Sequence, residues 1–376
     1  MYSSYTILNL SLRPIGNPEK YSFPAIGKPN LCGGFRLSPE GFFEFERDNN
    51  HLVFRQIRLP PPTRFPFSLS LNSTGNLHRK LKSNSGKICD MLLFIEHSKD
   101  NWLKLNATSD RVEVNADVVC SREILQLLMC TPYESKNNWT FAVTRYRNTI
   151  YISHVKSTKV GSFDKDQMIL DMQASWLKEL EKHCTTGPPE GQGECHGVFV
   201  MDISGLKVVF NAPLITEARS QAGFCWAELH LRLDKMSRVE WFDHKKCELI
   251  KWWTSCFLVG IDNIYVGLRD DDANVYRIQK TQVRELYKEQ SFWAPSVCAN
   301  ALSNILHAIK NLTVELDLDC PSTVILFEFD ASQGKIIYRT LEKRSQYTFV
   351  GDWYRNMLKE YRDDALLKQM TTQISK

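Results

Sequence analysis

The sequence lacks the local motifs by which many nucleotide-dependent and hydrolytic enzymes are recognised. It has no GxxxxGK[ST] loop, no GxGxxG after a predicted strand, no GxSxG elbow and no HExxH helix. Their absence argues against P-loop NTPases, dinucleotide-binding oxidoreductases, α/β-hydrolases and HExxH metalloproteases. No internal repeat is visible either, so we expect no repeat architecture.

The sequence also has little that would direct it to a membrane or a secretory pathway. No positively charged start followed by an apolar stretch opens the chain, so we expect no signal peptide. No apolar run approaches the roughly 18 residues that span a bilayer, so we expect no membrane partner. The eleven cysteines are odd in number and irregularly spaced. We therefore expect reduced thiols in an intracellular protein.

A strong charge of either sign is absent as well. The 376 residues carry a net charge of +4, and 43% of them are hydrophobic, which is typical of a globular protein with a large core. This mildly basic balance permits contact with nucleic acid but does not by itself predict it. The basic cluster His78–Lys82 is interpreted as a solvated surface rather than a nuclear import signal.

The chain does contain an interleaved series of helix and strand patterns. Apolar residues recur every four positions between Gln167 and His183, which predicts a helix, and strict alternation predicts a strand over Phe224–Leu233. Further helices are predicted over Arg122–Met129, Cys247–Leu258, Pro295–Ile309 and Trp353–Leu367, and further strands over Trp139–Arg145, Thr149–Val155, Gly197–Ile203, Leu206–Phe210, Ile264–Leu268, Val275–Lys280, Val324–Phe329 and Lys335–Thr340. Because many neighbouring strands form hairpins, we predict an α+β fold, a single domain with mixed, twisted β-sheets flanked by helices.

Two sets of residues are candidates for metal chemistry. His183–Cys184 and Cys195–His196 flank a loop rich in glycine and proline, but their spacing fits no standard zinc site, so a plain loop is the preferred interpretation. Glu228 and His230 lie on one face of a predicted strand, where an acid could hold a divalent ion beside a base. Alternating charged residues on a strand are more often a solvent-facing surface.

Several sequence blocks favour a functional site at Glu228 and His230 over a solvent-facing surface. These blocks lie between Arg122 and Tyr354, and they resemble the decapping and exoribonuclease (DXO) family in their order and spacing. The blocks are Thr131-Pro132-Tyr133-Glu134 with the strand pair that follows Trp139, Lys251-Trp252-Trp253 with Phe257–Gly260 and Val266–Arg269, Trp293–Cys298, and Tyr347-Thr348-Phe349 with Trp353-Tyr354. This resemblance implies a DXO-like nuclease scaffold with a core over residues 111–376. Residues 1–110 match only loosely and are expected to pack on the same domain.

The resemblance also implies a site. The family removes unusual five-prime caps, degrades RNA from the five-prime end and uses Mg or Mn held by carboxylates. Carried over to this chain, an RNA-binding arginine matches Arg122 and the single retained acid is Glu228. The remaining site positions hold other side chains, namely Leu177, Asn211, Pro213, His230 and Ser255. Glu179, Glu181 and Asp202 lie near enough in sequence to replace a missing acid.

These losses predict a degenerate site. Two divalent ions need several clustered carboxylates, whereas one carboxylate supports at most weak binding of a single ion. We therefore expect no catalytic residue and no cofactor. Loss of acids makes a cleft more favourable for phosphate, and the RNA-binding candidates are Arg122, His230, Arg145 and Arg147. Pro213 further removes a backbone donor where the family projects an acid.

A family member with a degenerate site is known from the insect germline piRNA pathway. The resemblance to it implies a nuclear protein at piRNA clusters that binds or shields the five-prime ends of nascent piRNA-precursor transcripts and opposes their processing and termination. It implies RNA, Rhino and Deadlock as partners, with a nuclear five-prime exoribonuclease as a further one. Two alternatives stay open: an active metal-dependent decapping nuclease with displaced ligands, and a scaffold that no longer binds RNA.

Overall fold

The computed structural model describes residues 5–8, 10, 12, 21–38, 40–45, 54–69, 87–106, 111–155, 165–186, 193–220, 223–288, 292–315 and 320–374. The strands within these ranges are β1 (Thr6–Ile7), β2 (Asn30–Leu37), β3 (Phe43–Phe45), β4 (Arg55–Gln56), β5 (Phe67–Ser68), β6 (Leu103–Asn106), β7 (Arg111–Val114), β8 (Val118–Ser121), β9 (Trp139–Tyr146), β10 (Thr149–His154), β11 (Glu194–Ile203), β12 (Leu206–Pro213), β13 (Ile215–Ser220), β14 (Gly223–Leu233), β15 (Asn263–Arg269), β16 (Asn274–Gln282), β17 (Val324–Asp330) and β18 (Lys335–Leu341).

Helices of very different lengths connect these strands. They are α1 (Lys87–His97), α2 (Lys99–Trp102), α3 (Arg122–Cys130), α4 (Lys165–Cys184), α5 (Arg238–Asp243), α6 (Leu249–Val259), α7 (Pro295–Glu315) and α8 (Asp352–Ile374). A π-helical turn, His244–Glu248, joins α5 to α6, and 3-10 turns occur at Pro62–Arg64, Thr131–Tyr133 and Val283–Leu286. No helix in the ranges given above is long and apolar enough to cross a membrane.

The larger sheet has ten strands in the order β1-β18-β17-β9-β10-β8-β12-β11-β2-β3. Its central strand β8 runs parallel to both of its neighbours, and the other pairs are antiparallel. Strand β8 leads directly into α3, because Ser121 is the last residue of the strand and Arg122 the first of the helix. This junction places Arg122 at the edge of the helical layer.

The second sheet has six strands in the order β4-β13-β14-β15-β16-β5. Strands β14 and β15 are parallel neighbours, with Glu228 beside Ile264 and His230 beside Val266. Parallel neighbours need a crossover connection, and here α5, the π-helical turn and α6 supply it. The crossover brings Ser255 of α6 onto the side chain of Glu228.

The three largest apolar clusters hold these layers together. The largest contains buried residues of both sheets and of α3, α6 and α7, so these helices are packed between the sheets. The second joins the ten-stranded sheet to α1 and α8, where Tyr151 and Tyr354 are fully buried and their hydroxyls lie 3.2 Å apart. The third packs Trp176 and Leu180 of α4 against Leu229 of β14. Strand β14 is therefore covered on both faces.

The predicted α+β fold with mixed, twisted sheets is confirmed, and most predicted elements differ from the observed ones by only a few residues at their ends. The main differences concern local detail. Strand β11 begins at Glu194 rather than Gly197, and a π-helical turn replaces the predicted first residues of the helix at Cys247. Within residues 1–110, β2 and β3 extend the ten-stranded sheet, while β4 and β5 form the edges of the other. The cluster His78–Lys82 lies outside the described residues.

Gly267 of β15 allows α4 to approach the six-stranded sheet closely. A Cβ atom at this position would lie 2.9 Å from Cδ2 of Leu231 and 3.2 Å from Cδ1 of Leu180. We predict that Gly267→Ala lowers the free energy of unfolding by about 1–3 kcal/mol, because the interior must shift to accept the methyl group. The measurement is equilibrium urea denaturation.

Gly27→Ala is a matched control. Its added Cβ would meet the nearest atom, Cβ of Asp202, at an ordinary 3.5 Å, so the variant is expected to unfold close to the wild-type midpoint. Equal midpoints for wild type and Gly267→Ala would show that α4 is not fixed by this contact.

Candidate functional site

A pocket with a volume of 270 Å³ lies beside β14, between α3, α4 and α6. Polar and apolar side chains from seven parts of the chain meet there. Its lining residues are Arg55, Arg122, Leu177, Glu181, Glu194, Cys195, Pro213, Leu214, Ile215, Ala227, Glu228, Leu229, His230 and Ser255. Five of the degenerate-site residues and the RNA-binding candidate Arg122 are thus brought together, although they are separated by up to 133 positions in the sequence.

Glu228 is the centre of this pocket's hydrogen bonding. Its side chain is 15% exposed, and Oε1 accepts a charged hydrogen bond from Nη1 of Arg122. The hydroxyl of Ser255 lies 2.6 Å from Oε1 and 2.8 Å from Oε2. Arg122 belongs to the helix that follows the ten-stranded sheet, whereas Glu228 belongs to the other sheet. The ion pair therefore joins the two sheets inside the pocket.

The charge of Glu228 is fixed by these partners. Burial by itself opposes ionisation, but the Arg122 guanidinium, His230 and the Ser255 hydroxyl together outweigh it. They hold the pKa of the Glu228 carboxyl well below its ordinary value. The group is consequently an anion with internal counter-charge across the physiological range.

His230 lies two residues further along the same face of β14. Its Nε2 is 3.3 Å from Oε2 of Glu228, and its ring stacks on Trp252 of α6 at a centroid distance of 4.3 Å and an interplanar angle of 18°. Its side chain is 14% exposed. The interpretation of this strand face as solvent-facing is therefore wrong, because the crossover helix α6 covers it.

The thiol of Cys256 approaches the same carboxylate. Its Sγ lies 3.6 Å from Oε2 of Glu228, and burial together with that anion raises the pKa of the thiol well above its ordinary value. Cys256 is therefore a protonated donor to Glu228. No sequence pattern predicts this contact, because Cys256 lies on a helix whose residues are mostly apolar.

Leu177 and Pro213 line the pocket with apolar groups, as their positions in the family comparison predict. Asn211 does not line it. Its Nδ2 lies 3.2 Å from Nδ1 of His196, whose ring stacks on Phe35 in the second apolar cluster. The part of β12 that lines the pocket is its last residue, Pro213, and Leu214 after the strand lines the pocket as well. Because β12 contains no acidic residue, it supplies no carboxylate in any register.

Arg145 and Arg147, the other RNA-binding candidates, lie outside the pocket. Arg147 adopts a positive φ of 48° in the turn after β9, and its Nη1 lies 3.1 Å from the Val112 carbonyl oxygen and 3.4 Å from that of Leu358. Nη2 of Arg145 lies 2.6 Å from Oδ1 of Asn148 in the same turn. The contacts of Arg147 hold this turn against α8, and neither arginine is part of the pocket.

Three charged residues of the pocket were not among the predicted site residues. Glu181 follows Leu177 by one helical turn on α4, and its Oε2 lies 3.2 Å from Nη1 of Arg55. Glu194, the first residue of β11, has Oε2 3.6 Å from Nε2 of His196. Glu181 is one of the three acids that the sequence offers as replacements, and it lines the pocket. Sequence reasoning missed Arg55 because it lies in the N-terminal part, which matches the family only loosely. It missed Glu194 because that residue borders a glycine-rich loop.

The other two replacement acids are used elsewhere. Oε2 of Glu179 lies 2.7 Å from the amine of Lys182 on the outer side of α4. Oδ1 of Asp202 accepts a hydrogen bond of 3.0 Å from the backbone of Gly205 in the turn between β11 and β12. Neither residue lines the pocket.

The donor set does not fit a pair of Mg or Mn ions. These ions prefer several oxygen ligands at about 2.0–2.6 Å. Among the residues that the structure describes, the one group of three acid, histidine or cysteine ligand atoms within 4.8 Å of one another is Glu228–His230–Cys256, which contains a single carboxylate. Both oxygens of that carboxylate already accept hydrogen bonds. His183, Cys184, Cys195 and His196 form no such group within the same residues.

The Arg122–Glu228 pair yields a prediction about stability. Glu228→Gln leaves the buried Arg122 without its counter-charge, so the free energy of unfolding is expected to fall by about 3–5 kcal/mol at pH 7. Because the pKa of Glu228 is depressed on folding, its stabilising contribution is complete above the ordinary carboxyl pKa of about 4.3 and is lost as the pH falls. The difference from wild type should therefore shrink in acid.

A double-mutant cycle measures the coupling in this pair. The double variant Arg122→Met, Glu228→Gln is expected to cost less than the sum of the two single variants. Asp234→Asn is the matched control, because it breaks the exposed pair with Arg277 and should cost about 0–1 kcal/mol. Strictly additive effects in chemical denaturation would contradict the coupling.

Comparison with known proteins agrees with this geometry. A family model described as RAI1 like PD-(D/E)XK nuclease matches residues 27–355. The Protein cutoff of Drosophila melanogaster is 38% identical over 380 residues, covering 97% of this chain and 96% of that protein. The human Decapping and exoribonuclease protein is 23% identical over 368 residues, covering 90% of this chain and 88% of that protein.

Solved structures show the same fold at low sequence identity. Candida albicans Rai1, in complex with pU5-Mn2+, has a TM-score of 0.72 at 13% identity and covers 97% of this chain and 100% of that one. Scheffersomyces stipitis Rai1, in complex with (3'-NADP)+ and calcium ion, has a TM-score of 0.71 at 15% identity, with coverages of 96% and 99%. The chain belongs to the RAI1-like PD-(D/E)XK nuclease family, which includes the decapping exoribonucleases.

Proposed function

We propose that this chain is a catalytically inactive family member that binds RNA five-prime ends in the pocket beside β14. The observation that carries the proposal is the Arg122–Glu228 ion pair, in which a protein cation already neutralises the one retained family carboxylate. The other two pocket acids also lie near basic side chains, with Glu181 beside Arg55 and Glu194 beside His196. A pocket with this internal balance does not depend on metal ions to remove repulsion between its acids.

A five-prime phosphate has suitable partners in this pocket. Arg55, Arg122 and His230 line it and carry the donors that phosphate oxygens accept. Because Glu181 and Glu194 also line it, the pocket is closer to neutral than the loss of family acids alone would imply. Recognition of the terminal phosphate would therefore depend on a few directed hydrogen bonds more than on a strong general attraction for RNA.

The biological setting follows from the relative in Drosophila. The similarity to Protein cutoff supports a role in the nuclear germline piRNA pathway, in which this chain would shield nascent piRNA-precursor transcripts within a Rhino–Deadlock complex and oppose their processing and termination. A nuclear five-prime exoribonuclease is a further proposed partner. The test is affinity purification from germline nuclei followed by mass spectrometry. Absence of both Rhino and Deadlock from the purified complex would remove this part of the proposal.

Binding should be independent of metal and moderately sensitive to salt. We predict that a five-prime-phosphorylated RNA binds equally well in EDTA and in Mn²⁺. For two phosphate contacts the logarithm of the binding constant should fall against the logarithm of salt concentration with a slope of about −1.4. Fluorescence anisotropy over a salt series measures both properties.

Two arginine variants test where the phosphate binds. Arg55→Gln should weaken binding and reduce the salt slope by about 0.7, since it removes one phosphate contact. Arg344→Gln is the matched control, because Arg344 is 73% exposed on a part of the surface that does not line the pocket. Equal losses in the two variants would indicate non-specific attraction rather than a site.

The alternative function, an active decapping nuclease, makes the opposite prediction for hydrolysis. RNA labelled at its five-prime end should remain intact with Mn²⁺ if the chain is inactive. Metal-dependent loss of label that disappears in Glu228→Gln, under conditions where that variant is folded, would establish the nuclease and overturn the proposal.

The pocket should also respond to pH through Glu181. Burial, with Glu194 and Glu228 nearby, raises the pKa of Glu181 to about 7, even though Arg55 acts in the opposite direction. Glu181 therefore loses its proton as the pH rises from 6 to 8, and its new charge repels phosphate. We predict that RNA affinity falls over this range and falls a few-fold less in Glu181→Gln. Identical pH profiles for the two proteins would contradict this role.

A further inference from the structure

A second concave surface continues from the pocket along β14, and we call it the β14 cleft. It has a volume of 630 Å³ and shares the lining residues Leu177 and His230 with the pocket. A further cavity of 240 Å³ shares Arg232, His244 and Trp252 with the cleft and extends it to Trp241. These shared residues make the pocket, the β14 cleft and the further cavity neighbours along one groove. An extended ligand that enters the pocket can therefore continue along this groove.

Aromatic rings follow this groove one after another. Trp252 stacks on His230 and meets His244 at a centroid distance of 5.0 Å, and His244 lies 5.6 Å from Trp241 at an interplanar angle of 26°. Trp241 lies on α5, at the outer end of this series, and is 41% exposed. A large aromatic side chain with this much free surface at the mouth of a groove offers a flat surface for a planar ligand.

Basic side chains flank the same ring. The guanidinium carbon of Arg232 lies 5.5 Å from the Trp241 ring centroid, and Nζ of Lys245 lies 5.3 Å from it. Two of the acids in the cleft have other roles, because Glu240 forms the capping box of α5 with Ser237 and Oε2 of Glu248 lies 2.5 Å from Nδ1 of His244. The end of the cleft at Trp241 thus combines an aromatic face with two cations.

We propose that single-stranded RNA runs from the pocket along the β14 cleft and stacks a base on Trp241, with Arg232 and Lys245 contacting the adjacent phosphates. The inference rests on the proposed binding of RNA five-prime ends. Aromatic faces beside cations are the usual platform for single strands without base-specific hydrogen bonds. Exposed Val239 and Phe242 on the same helix would also suit a protein partner. The β14 cleft adjoins the pocket proposed to hold the five-prime phosphate, and this arrangement favours RNA over a protein partner.

The experiment compares RNA probes of two lengths on two tryptophan variants. Five-prime-phosphorylated oligouridines, a trinucleotide and a decamer, are titrated against the full chain by fluorescence anisotropy. In Trp241→Ala the decamer should bind about 5- to 150-fold more weakly, as expected for one lost base stack, while the trinucleotide is unaffected. Trp353→Ala is the matched control, since Trp353 is 40% exposed on α8 and lines neither the pocket nor the cleft.

A second measurement changes the RNA. Abasic sites placed singly along the decamer should weaken binding to the wild-type chain at one position, and that position should lose its effect in Trp241→Ala. If the decamer binds no more tightly than the trinucleotide, or if Trp241→Ala binds it normally, the stacking inference is overturned while binding of the five-prime end stands. If neither probe binds, the proposed function fails and the stacking inference fails with it.

Discussion

The ion pair between Arg122 and Glu228 is the contact on which the pocket depends. It joins the helix that follows the ten-stranded sheet to the central part of the six-stranded sheet, at the point where the helical layer ends. Both side chains are 15% exposed, so each charge needs the other in order to remain buried. Ser255 then supplies the remaining hydrogen bonds to the carboxylate. Within the pocket, Glu228 is therefore an anion whose charge and hydrogen-bonding capacity are both matched by protein groups.

The architecture explains how residue types in the pocket can differ from the family pattern while the fold is kept. Its walls are positioned by apolar packing, with α4 seated on β14 and β15 at Gly267 and α6 held between the sheets. Four of the positions that differ, Leu177, Pro213, His230 and Ser255, line the cavity. A leucine or a proline there changes the chemistry of the cavity and leaves the packing behind it unaffected. The same walls continue into the β14 cleft, which extends from the pocket toward Trp241.

Sequence reasoning predicted the fold class, most of the helices and strands, and the convergence of Leu177, Pro213, Glu228, His230 and Ser255. It did less well where side-chain contacts across the fold matter. Asn211 does not line the pocket, because its side chain meets His196, whose ring stacks on Phe35. The charge of Arg145 and Arg147 favours RNA binding, but both residues lie outside the pocket, and Arg147 contacts the carbonyl oxygen of Leu358 in α8.

By itself, the sequence determined the order of helices and strands, the family to which the chain belongs and the scarcity of metal-binding acids at the family positions. These properties are local or are carried by residue types at fixed spacing. The tertiary structure alone decided which charges meet. Arg55 and Glu194 reach the pocket from distant parts of the chain, and Trp241 reaches the end of the β14 cleft because the crossover between two parallel strands places α5 there. Electrostatic partners are fixed by distances in space, and the packing of two sheets around one helical layer sets those distances.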